Sequence, residues 1–552
     1  MAASTTVLIL AAGQLPERQL GPAPLLHRHP LDLPAGSDLA LQRISAHYRR
    51  HWPQAQLVAV IDAASRSHYP AALHQLDQLL TITPQPSINA SLEAALQRID
   101  AHEVVVNPIT ALPTATALPN CAVVLGDEAL PRQNWSAFAT PQPRGPSQLL
   151  SKLQPNQANE PASYPFTGLL SAPRATLLEL LAQLSTNQRS DLAWTAALLL
   201  EQHHAQVVHT PWHDLGHRAT YARSRRSQLV SRSHNRVVYD PAGDLISKRS
   251  SDLERLNAEA TYLQTLPPRL RRHFPALLGL SEQQGLELEY VPFPSLAELY
   301  LHWQIGPEGW AGIWSRLAQI LNELSNSSPA VIASCNWLYS HKLRQRLHQL
   351  DQQPPSPNWY QFWQQPLELN GRRLPSPAAC AQATLAALAP LEASRPLQRI
   401  HGDLCFNNVL AEPLHAAVRL IDPRGEAAPD SDVPVGYGDP RYDLVKLLHS
   451  GCYGYDLAVH GLFTLTGDPA RGWQARLYPP RQAEQVAAQL DGFVRSQGLT
   501  PEEERWLTAS LFFSMLPLHS DSLQRQQMLT LIGCCISQQT FDLLLPCVAP
   551  SL

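Results

Sequence analysis

Arg399-Ile400-His401-Gly402-Asp403-Leu404-Cys405-Phe406-Asn407-Asn408-Val409-Leu410 is followed by Val418-Arg419-Leu420-Ile421-Asp422-Pro423-Arg424-Gly425. The first segment reads H-G-D-x-x-x-x-N, and the second is a short apolar strand ending in an aspartate fourteen residues after the asparagine. Transfer of a phosphoryl group from a nucleoside triphosphate needs a carboxylate to orient the acceptor hydroxyl and receive its proton. It also needs oxygen ligands that hold Mg²⁺ against the phosphates. In this pattern Asp403 is the candidate base, Asn408 and Asp422 are the candidate metal ligands, and His401 braces the loop. A lone His-Gly-Asp would be read equally well as a polar turn; the whole constellation is what carries the chemistry.

The constellation continues with Gly438-Asp439-Pro440-Arg441-Tyr442-Asp443-Leu444. Together these segments resemble the aminoglycoside phosphotransferase and choline kinase family. The resemblance implies a protein-kinase-like fold, ATP and Mg²⁺ as cofactors, and Asp443 as a support that anchors the catalytic loop.

Such a site also needs a positive charge on the triphosphate, normally a strand lysine paired with a helical carboxylate. The chain has only Lys152, Lys248, Lys342 and Lys446, so candidates are few. Arg236–Tyr239 and Leu245–Lys248 flank the turn Asp240-Pro241-Ala242-Gly243-Asp244 and read as a hairpin. Lys248 ends its second strand. Glu259, eleven residues on within the predicted helix Asp252–Leu266, is its expected partner in preference to Glu254. A strand pair is expected at Leu277–Leu280 and Leu286–Tyr290. Glu289-Tyr290-Val291-Pro292 then resembles the hinge whose backbone meets adenine, which makes Glu289 and Val291 nucleotide-binding candidates. No glycine-rich loop stands around Ser231–Arg236, and from Ser295 onward the pattern is largely helical outside 399–443.

The first half reads differently. Buried-strand runs at Val7–Leu10, Leu57–Ile61, Val104–Val106 and Ala122–Leu125 alternate with helix-like Asp38–Tyr48 and Ser91–Ile99. That alternation predicts an α/β domain with a mainly parallel sheet. Thr140 to Pro165, rich in Pro, Gln and Asn, reads as a long surface loop, and Arg223–Ser227 as an exposed connector. Leu10-Ala11-Ala12-Gly13, Val124-Leu125-Gly126-Asp127, Tyr164-Pro165-Phe166-Thr167-Gly168 and Trp212-His213-Asp214-Leu215-Gly216 resemble landmarks of the sugar-phosphate nucleotidyltransferases. The resemblance implies a Rossmann-like nucleotidyltransferase fold, with Asp127 and Asp214 at the metal-ligand positions. It is damaged where phosphate is met: Leu15, Glu17 and Ala23 stand where that family has Gly, Arg and Lys, with Arg18 one residue late. Asp127 and Asp214 are equally readable as inherited scaffold carboxylates, and a degenerate domain is expected.

Composition sets the outer bounds. At 552 residues with 44% hydrophobic content the chain exceeds one ordinary domain and supplies real cores. A formal net charge of −4 leaves no basic footprint, so no nucleic-acid partner is expected. The eight cysteines are scattered without a CxxC pair and read as reduced thiols of a cytoplasmic protein. No run reaches the ~18 apolar residues of a membrane span.

The expected organisation is 1–226, nucleotidyltransferase-like α/β, then 227–552, α+β and two-lobed, with a small lobe about 227–293 and a helical lobe about 294–552. The expected function is ATP-dependent phosphorylation of a hydroxyl on a small molecule of sugar or amino-alcohol type, in surface-polysaccharide or headgroup biosynthesis. A bifunctional kinase and nucleotidyltransferase, or a non-catalytic nucleotide-binding regulator, are the alternatives. The sequence names neither the acceptor nor an oligomeric state.

Overall fold

The structure is a computed structural model that describes residues 5–12, 30–35, 38–62, 75–127, 136–139, 149–150, 163–216, 224, 235–240, 242–281, 285–303, 305–414, 416–425 and 432–545. The chain divides into two compact units, Met1–Gln228 and Leu229–Leu552.

The first unit is built on strands β1 (Thr5–Leu10), β2 (Gln56–Asp62), β3 (Gln78–Ile82), β4 (Glu103–Pro108), β5 (Ala122–Gly126), β6 (Ser163–Pro173) and β7 (Gln206–Thr210). Their order is β3-β2-β1-β4-β6-β5-β7, and the start of β6 also pairs with Ala137–Ala139, which in turn pairs with Leu149–Leu150. Pairings among β3, β2, β1 and β4, and between β5 and β7, are parallel; β6 runs antiparallel to both neighbours. Val7–Leu10 and Leu57–Val60 are buried without alternation, as expected of parallel strands covered on both faces.

Helices α1 (Ala40–His51), α2 (Ile88–Leu96), α3 (Arg174–Gln183) and α4 (Leu192–His203) accompany the sheet, and Leu92, Leu96, Leu177, Leu180, Ala196 and Leu199 join Leu8, Val58 and Val106 in one core. The expected helix Ser91–Ile99 begins earlier because Ser87 caps it, accepting the N–H of Ala90. The expected loop Thr140–Pro165 is interrupted: Leu149–Leu150 is a strand and β6 has begun by Ser163, while 140–148 and 151–162 lie outside the described residues. So does the connector Arg223–Ser227, apart from Ser224.

The second unit opens with the expected hairpin, β8 (Asn235–Asp240) and β9 (Leu245–Ser250). Then come helix α5 (Leu253–Thr265) and strands β10 (Leu277–Ser281) and β11 (Gly285–Glu289). These strands form an antiparallel sheet in the order β8-β9-β11-β10. Helices α6 (Leu296–His302), α7 (Pro307–Ser325), α8 (Ser340–Gln352) and α9 (Pro377–Leu391) precede β12 (Arg395–Arg399) and the hairpin β13 (Val409–Glu412) and β14 (Ala417–Leu420). Beyond it run α10 (Pro440–Gly451), α11 (Tyr455–Val459), α12 (Ala483–Ser496), α13 (Pro501–Ser514) and α14 (Leu523–Ser537).

One expectation needs correcting. The region after Ser295 is not simply helical outside the motif: Leu367–Leu369, Arg372–Leu374, Phe463–Asp468 and Gly472–Leu477 make a second four-stranded sheet. Its first hairpin turns on Asn370-Gly371, both at positive φ (51° and 79°), the geometry of a tight two-residue turn.

Candidate active site

Helix α5 starts at Asp252, whose side chain accepts the N–H of Arg255, and stops before Pro267-Pro268. Its buried face comprises Leu256, Glu259, Ala260, Tyr262 and Leu263. Glu259 is the anomaly on that stripe, a carboxylate 3% exposed where helical spacing calls for an apolar residue. Its partner is Lys248, buried on β9, whose ammonium is hydrogen-bonded to Glu259 Oε2 and lies 2.5 Å from Asp422 Oδ1. One lysine therefore joins a helix, a strand and the strand-end aspartate. Burial would lower the Lys248 ammonium, but Asp422 and Glu259 hold it above its ordinary value, so it stays charged. Burial pushes the Glu259 carboxyl up to about 7 against the pull of Lys248.

The catalytic-loop candidates are fixed by hydrogen bonds from outside the loop. Asp443, on the first turn of α10, accepts the backbone N–H of His401 at 2.7 Å on one oxygen and that of Gly402 at 2.8 Å on the other. Asp439 caps the same helix by accepting the N–H of Arg441, and its carboxylate is gripped by the Arg441 guanidinium and the Tyr339 hydroxyl. His401 Nδ1 accepts the N–H of Asp403 at 3.3 Å while Nε2 donates to Ile421 O at 3.0 Å, tying the loop to the strand that carries Asp422. Burial pushes this imidazole down to about 4, so it is neutral in the fold.

Asn408 donates its amide to Asp403 O at 2.8 Å, which leaves the amide oxygen for another partner. Asp422 itself sits at φ +56°, a left-handed conformation uncommon outside glycine and typical of functional turns. The turn is packed tightly, since a Cβ at Gly425 would fall 1.9 Å from Ala258 O on α5.

Two cations that sequence reading did not single out complete the surroundings of Asp403. Arg424 donates to its Oδ2 from Nη2 at 2.6 Å and Nε at 3.2 Å. Lys446 Nζ lies 3.0 Å from Oδ1. The Lys446 signal was present: it stands three residues after Asp443, hence on the same helix face. Burial would lower its ammonium, but Asp403 holds it above its ordinary value.

The Asn408 amide oxygen and the Asp422 carboxylate are hard oxygen donors of the kind Mg²⁺ takes, and Asp422 is the more exposed of the two. Among the described residues no cluster of three or more His, Cys, Asp or Glu gathers as a ready-made metal cage. A two-ligand set of this sort suits a cation that arrives with phosphate oxygens.

The hinge candidates divide. Glu289 donates its N–H to Ala276 O, and its carboxylate holds Arg419 at 2.6 Å and the N–H of Ala276. Val291 is buried and makes no backbone–backbone hydrogen bond among the described residues.

In the first unit Asp127 follows β5, exposed, with its N–H donated to Thr210 O on β7. Asp214 is 5% exposed, and its Oδ1 accepts the N–H of Gly216 at 3.0 Å. The short strand His213–Asp214 pairs with Ala111–Leu112. Gly13, Leu15, Glu17, Arg18 and Ala23 lie outside the described residues.

No curated protein matches the sequence. The family model "Phosphotransferase enzyme family" matches residues 224–507, which contain Lys248, Glu259, the 399–425 motif and α10. Among solved structures, one described as a glucose-1-phosphate thymidylyltransferase from Bacillus anthracis is similar at 13% identity and a TM-score of 0.33, over 40% of this chain and 94% of the other. A nucleoside-diphosphate-sugar pyrophosphorylase from Vibrio cholerae RC9 is similar at 13% identity and a TM-score of 0.30, over 40% and 99%. A UTP-bound UGPase from Acinetobacter baumannii is similar at 12% identity and a TM-score of 0.30, over 40% and 92%. No helix among the described residues is long and apolar enough to cross a membrane.

Proposed function

The chain belongs to the phosphotransferase enzyme family, and on that premise we propose that its second unit transfers the γ-phosphoryl group of ATP to a hydroxyl of a small molecule. The observation that carries this reading is the Lys248 junction: a strand lysine bonded at once to a buried helical carboxylate, Glu259, and to Asp422. A purely structural surface lysine would have no reason to be buried between two acids. In this reading Lys248 neutralises phosphate oxygens and Glu259 holds it in place. Asp403 orients the acceptor hydroxyl and takes its proton, and Val291 with Glu289 lines the adenine edge. Asn408 and Asp422 are the residues that would hold Mg²⁺, which when bound offsets the negative charge of the phosphates.

The same reading divides the unit into a small lobe about 227–293, around the β8-β9-β11-β10 sheet, and a helical lobe about 294–552. The acceptor is of sugar or amino-alcohol type, the product serves surface-polysaccharide or headgroup biosynthesis, and the reaction takes place in the cytoplasm. A non-catalytic regulator would not need Lys248, Asp403, Asn408 and Asp422 all in place; their joint presence supports turnover.

The test is ADP formation by the full-length protein with MgATP across a panel of sugars and amino-alcohols, beside Lys248→Met. The expected result is acceptor-dependent, Mg²⁺-dependent ADP release that Lys248→Met lowers by on the order of 10²-fold or more, as for loss of a preorganised phosphate-facing charge. MgATP binding without turnover for any acceptor would favour the regulator.

A further inference from the structure

Two cations meet one carboxylate at Asp403, and they are placed differently. Lys446 reaches Oδ1 from the helix that also carries Asp443, so the charge of Asp403 is already answered on that side. Arg424 takes Oδ2 through Nε and Nη2, and the same Nη2 lies 3.8 Å from Asp422 Oδ2. Its Nη1 is buried and has no hydrogen-bond partner among the described residues. A buried donor without an acceptor is costly unless a ligand completes it.

The backbone is shaped around this side chain. The N–H of Arg424 donates to His401 O at 2.8 Å. Gly402, at φ +81°, lacks the Cβ that would fall 2.8 Å from the Cβ of Arg424. The loop that carries the base thus makes room for the arginine and fixes its stem.

We propose that Arg424 is a catalytic arginine, whose guanidinium leaves or shares Asp403 to contact the γ-phosphoryl group as it passes from ATP to the acceptor. The proposal rests on the phosphotransferase reading. In the transfer the bond from the γ-phosphorus to the bridging oxygen breaks, and its electron pair leaves with ADP. The acceptor oxygen forms the new bond to phosphorus, and its proton passes to Asp403. Negative charge is spread over the equatorial oxygens of the transferring group in between. The guanidinium, bonded to Asp403 and 3.8 Å from Asp422, stands between the two carboxylates that this reading assigns to the base and the metal, so it is placed to meet those oxygens. Until a nucleotide arrives it is paired with Asp403, which keeps the cation from being buried alone.

The test needs no knowledge of the acceptor. Binding of MgADP, alone and with tetrafluoroaluminate as a mimic of the transferring phosphoryl group, is measured by calorimetry on the full chain. The variants are Arg424→Ala and Arg424→Gln, the second preserving much of the stem packing. Wild type is expected to bind the complex with fluoride far more tightly than MgADP. Both variants should lose on the order of 10²-fold of that gain while MgADP alone shifts less than about 3-fold, and added guanidinium chloride should restore part of the gain to Arg424→Ala. A full gain retained in either variant, or a wild type that binds MgADP with no gain from fluoride, overturns the inference while leaving ATP binding intact. A wild type that binds neither overturns the phosphotransferase reading, and the inference with it.

Discussion

Lys446 Nζ stands 3.0 Å from Asp403 Oδ1, and Asp443, one turn earlier on the same helix, holds the backbone of His401 and Gly402. A single helix face therefore positions both the main chain of His401 and Gly402 and the side chain of Asp403. If Lys446 acts by fixing the direction of the Asp403 carboxylate, Lys446→Met should lower kcat by about 10- to 100-fold, the scale expected when a reacting group is misplaced by about an ångström. The KM for ATP should change little, because Lys446 contacts the base rather than Lys248 or Asp422. Steady-state kinetics separate the two: a rise in KM with kcat unchanged would place Lys446 on the nucleotide.

Asp403→Asn removes the proton acceptor and keeps the shape. Turnover should drop by roughly 10²- to 10⁴-fold, the usual contribution of a general base. MgATP binding should persist, since Lys248, Asn408 and Asp422 are untouched. Near-normal turnover in this variant would remove Asp403 from the role of base.

Asp422→Ala should weaken Mg²⁺-dependent ATP binding, and it has a second consequence. Asp422 helps hold Lys248 charged, so its loss leaves the lysine with Glu259 alone. Titration of nucleotide binding against Mg²⁺ should shift to higher metal concentration. An unchanged titration curve would show that the strand-end aspartate is not a metal ligand.

Much of this site was legible beforehand, and the reasons differ from residue to residue. Asp403, Asn408 and Asp422 lie within one local motif, whose spacing singles them out as candidates for base and metal ligands. Glu259 was legible because a phosphate-facing lysine calls for a helical carboxylate, Lys248 is one of only four lysines, and Glu259 lies eleven residues on, further into the helix than Glu254. Its burial on the helix stripe came only with the structure. Arg424 lies in the same motif, but its contact with Asp403 depends on the left-handed turn at Asp422, which no spacing rule announces. The second sheet was missed for a different reason. Its strands Leu367–Leu369 and Arg372–Leu374 have only three residues each, too short for an alternating pattern, although Asn370-Gly371 is itself a hairpin signal. The other two, Phe463–Asp468 and Gly472–Leu477, are six residues each, and Gly472–Leu477 alternates in burial, so length does not account for them.

His401 gives a pH prediction. Its folded value of about 4 lies below the ordinary 6.5, chiefly because burial disfavours the imidazolium. Protonation would also put a hydrogen on Nδ1 against the N–H of Asp403. The unfolded chain thus binds more protons between these two values, and stability falls as pH drops through that window. The contribution lost is up to about 3 kcal/mol. Denaturant unfolding of wild type and His401→Gln at several pH values should show the gap between them narrowing from pH 7 to pH 4. A constant gap would mean that His401 does not titrate in this way.

The two units should also differ in what they do with a triphosphate, for an electrostatic reason. A triphosphate carries roughly four negative charges, which a site must offset with metal, cations and backbone N–H groups. The second unit gathers Lys248, Arg424 and Lys446 around its acids. The first unit keeps Asp127 and Asp214, but Asp214 is buried and bonded to the N–H of Gly216. Leu15, Glu17 and Ala23, outside the described residues, stand where the resembled nucleotidyltransferases have Gly, Arg and Lys, so the expectation is that phosphate-facing cations are lost, and Glu17 adds a negative charge to the segment beside Arg18. Full-length protein carrying Asp403→Asn, which silences the second site, should therefore release no pyrophosphate from nucleoside triphosphates and sugar phosphates. Pyrophosphate release that persists in Asp403→Asn and disappears on adding Asp127→Ala would instead make the protein bifunctional, with Asp127 as a working metal ligand.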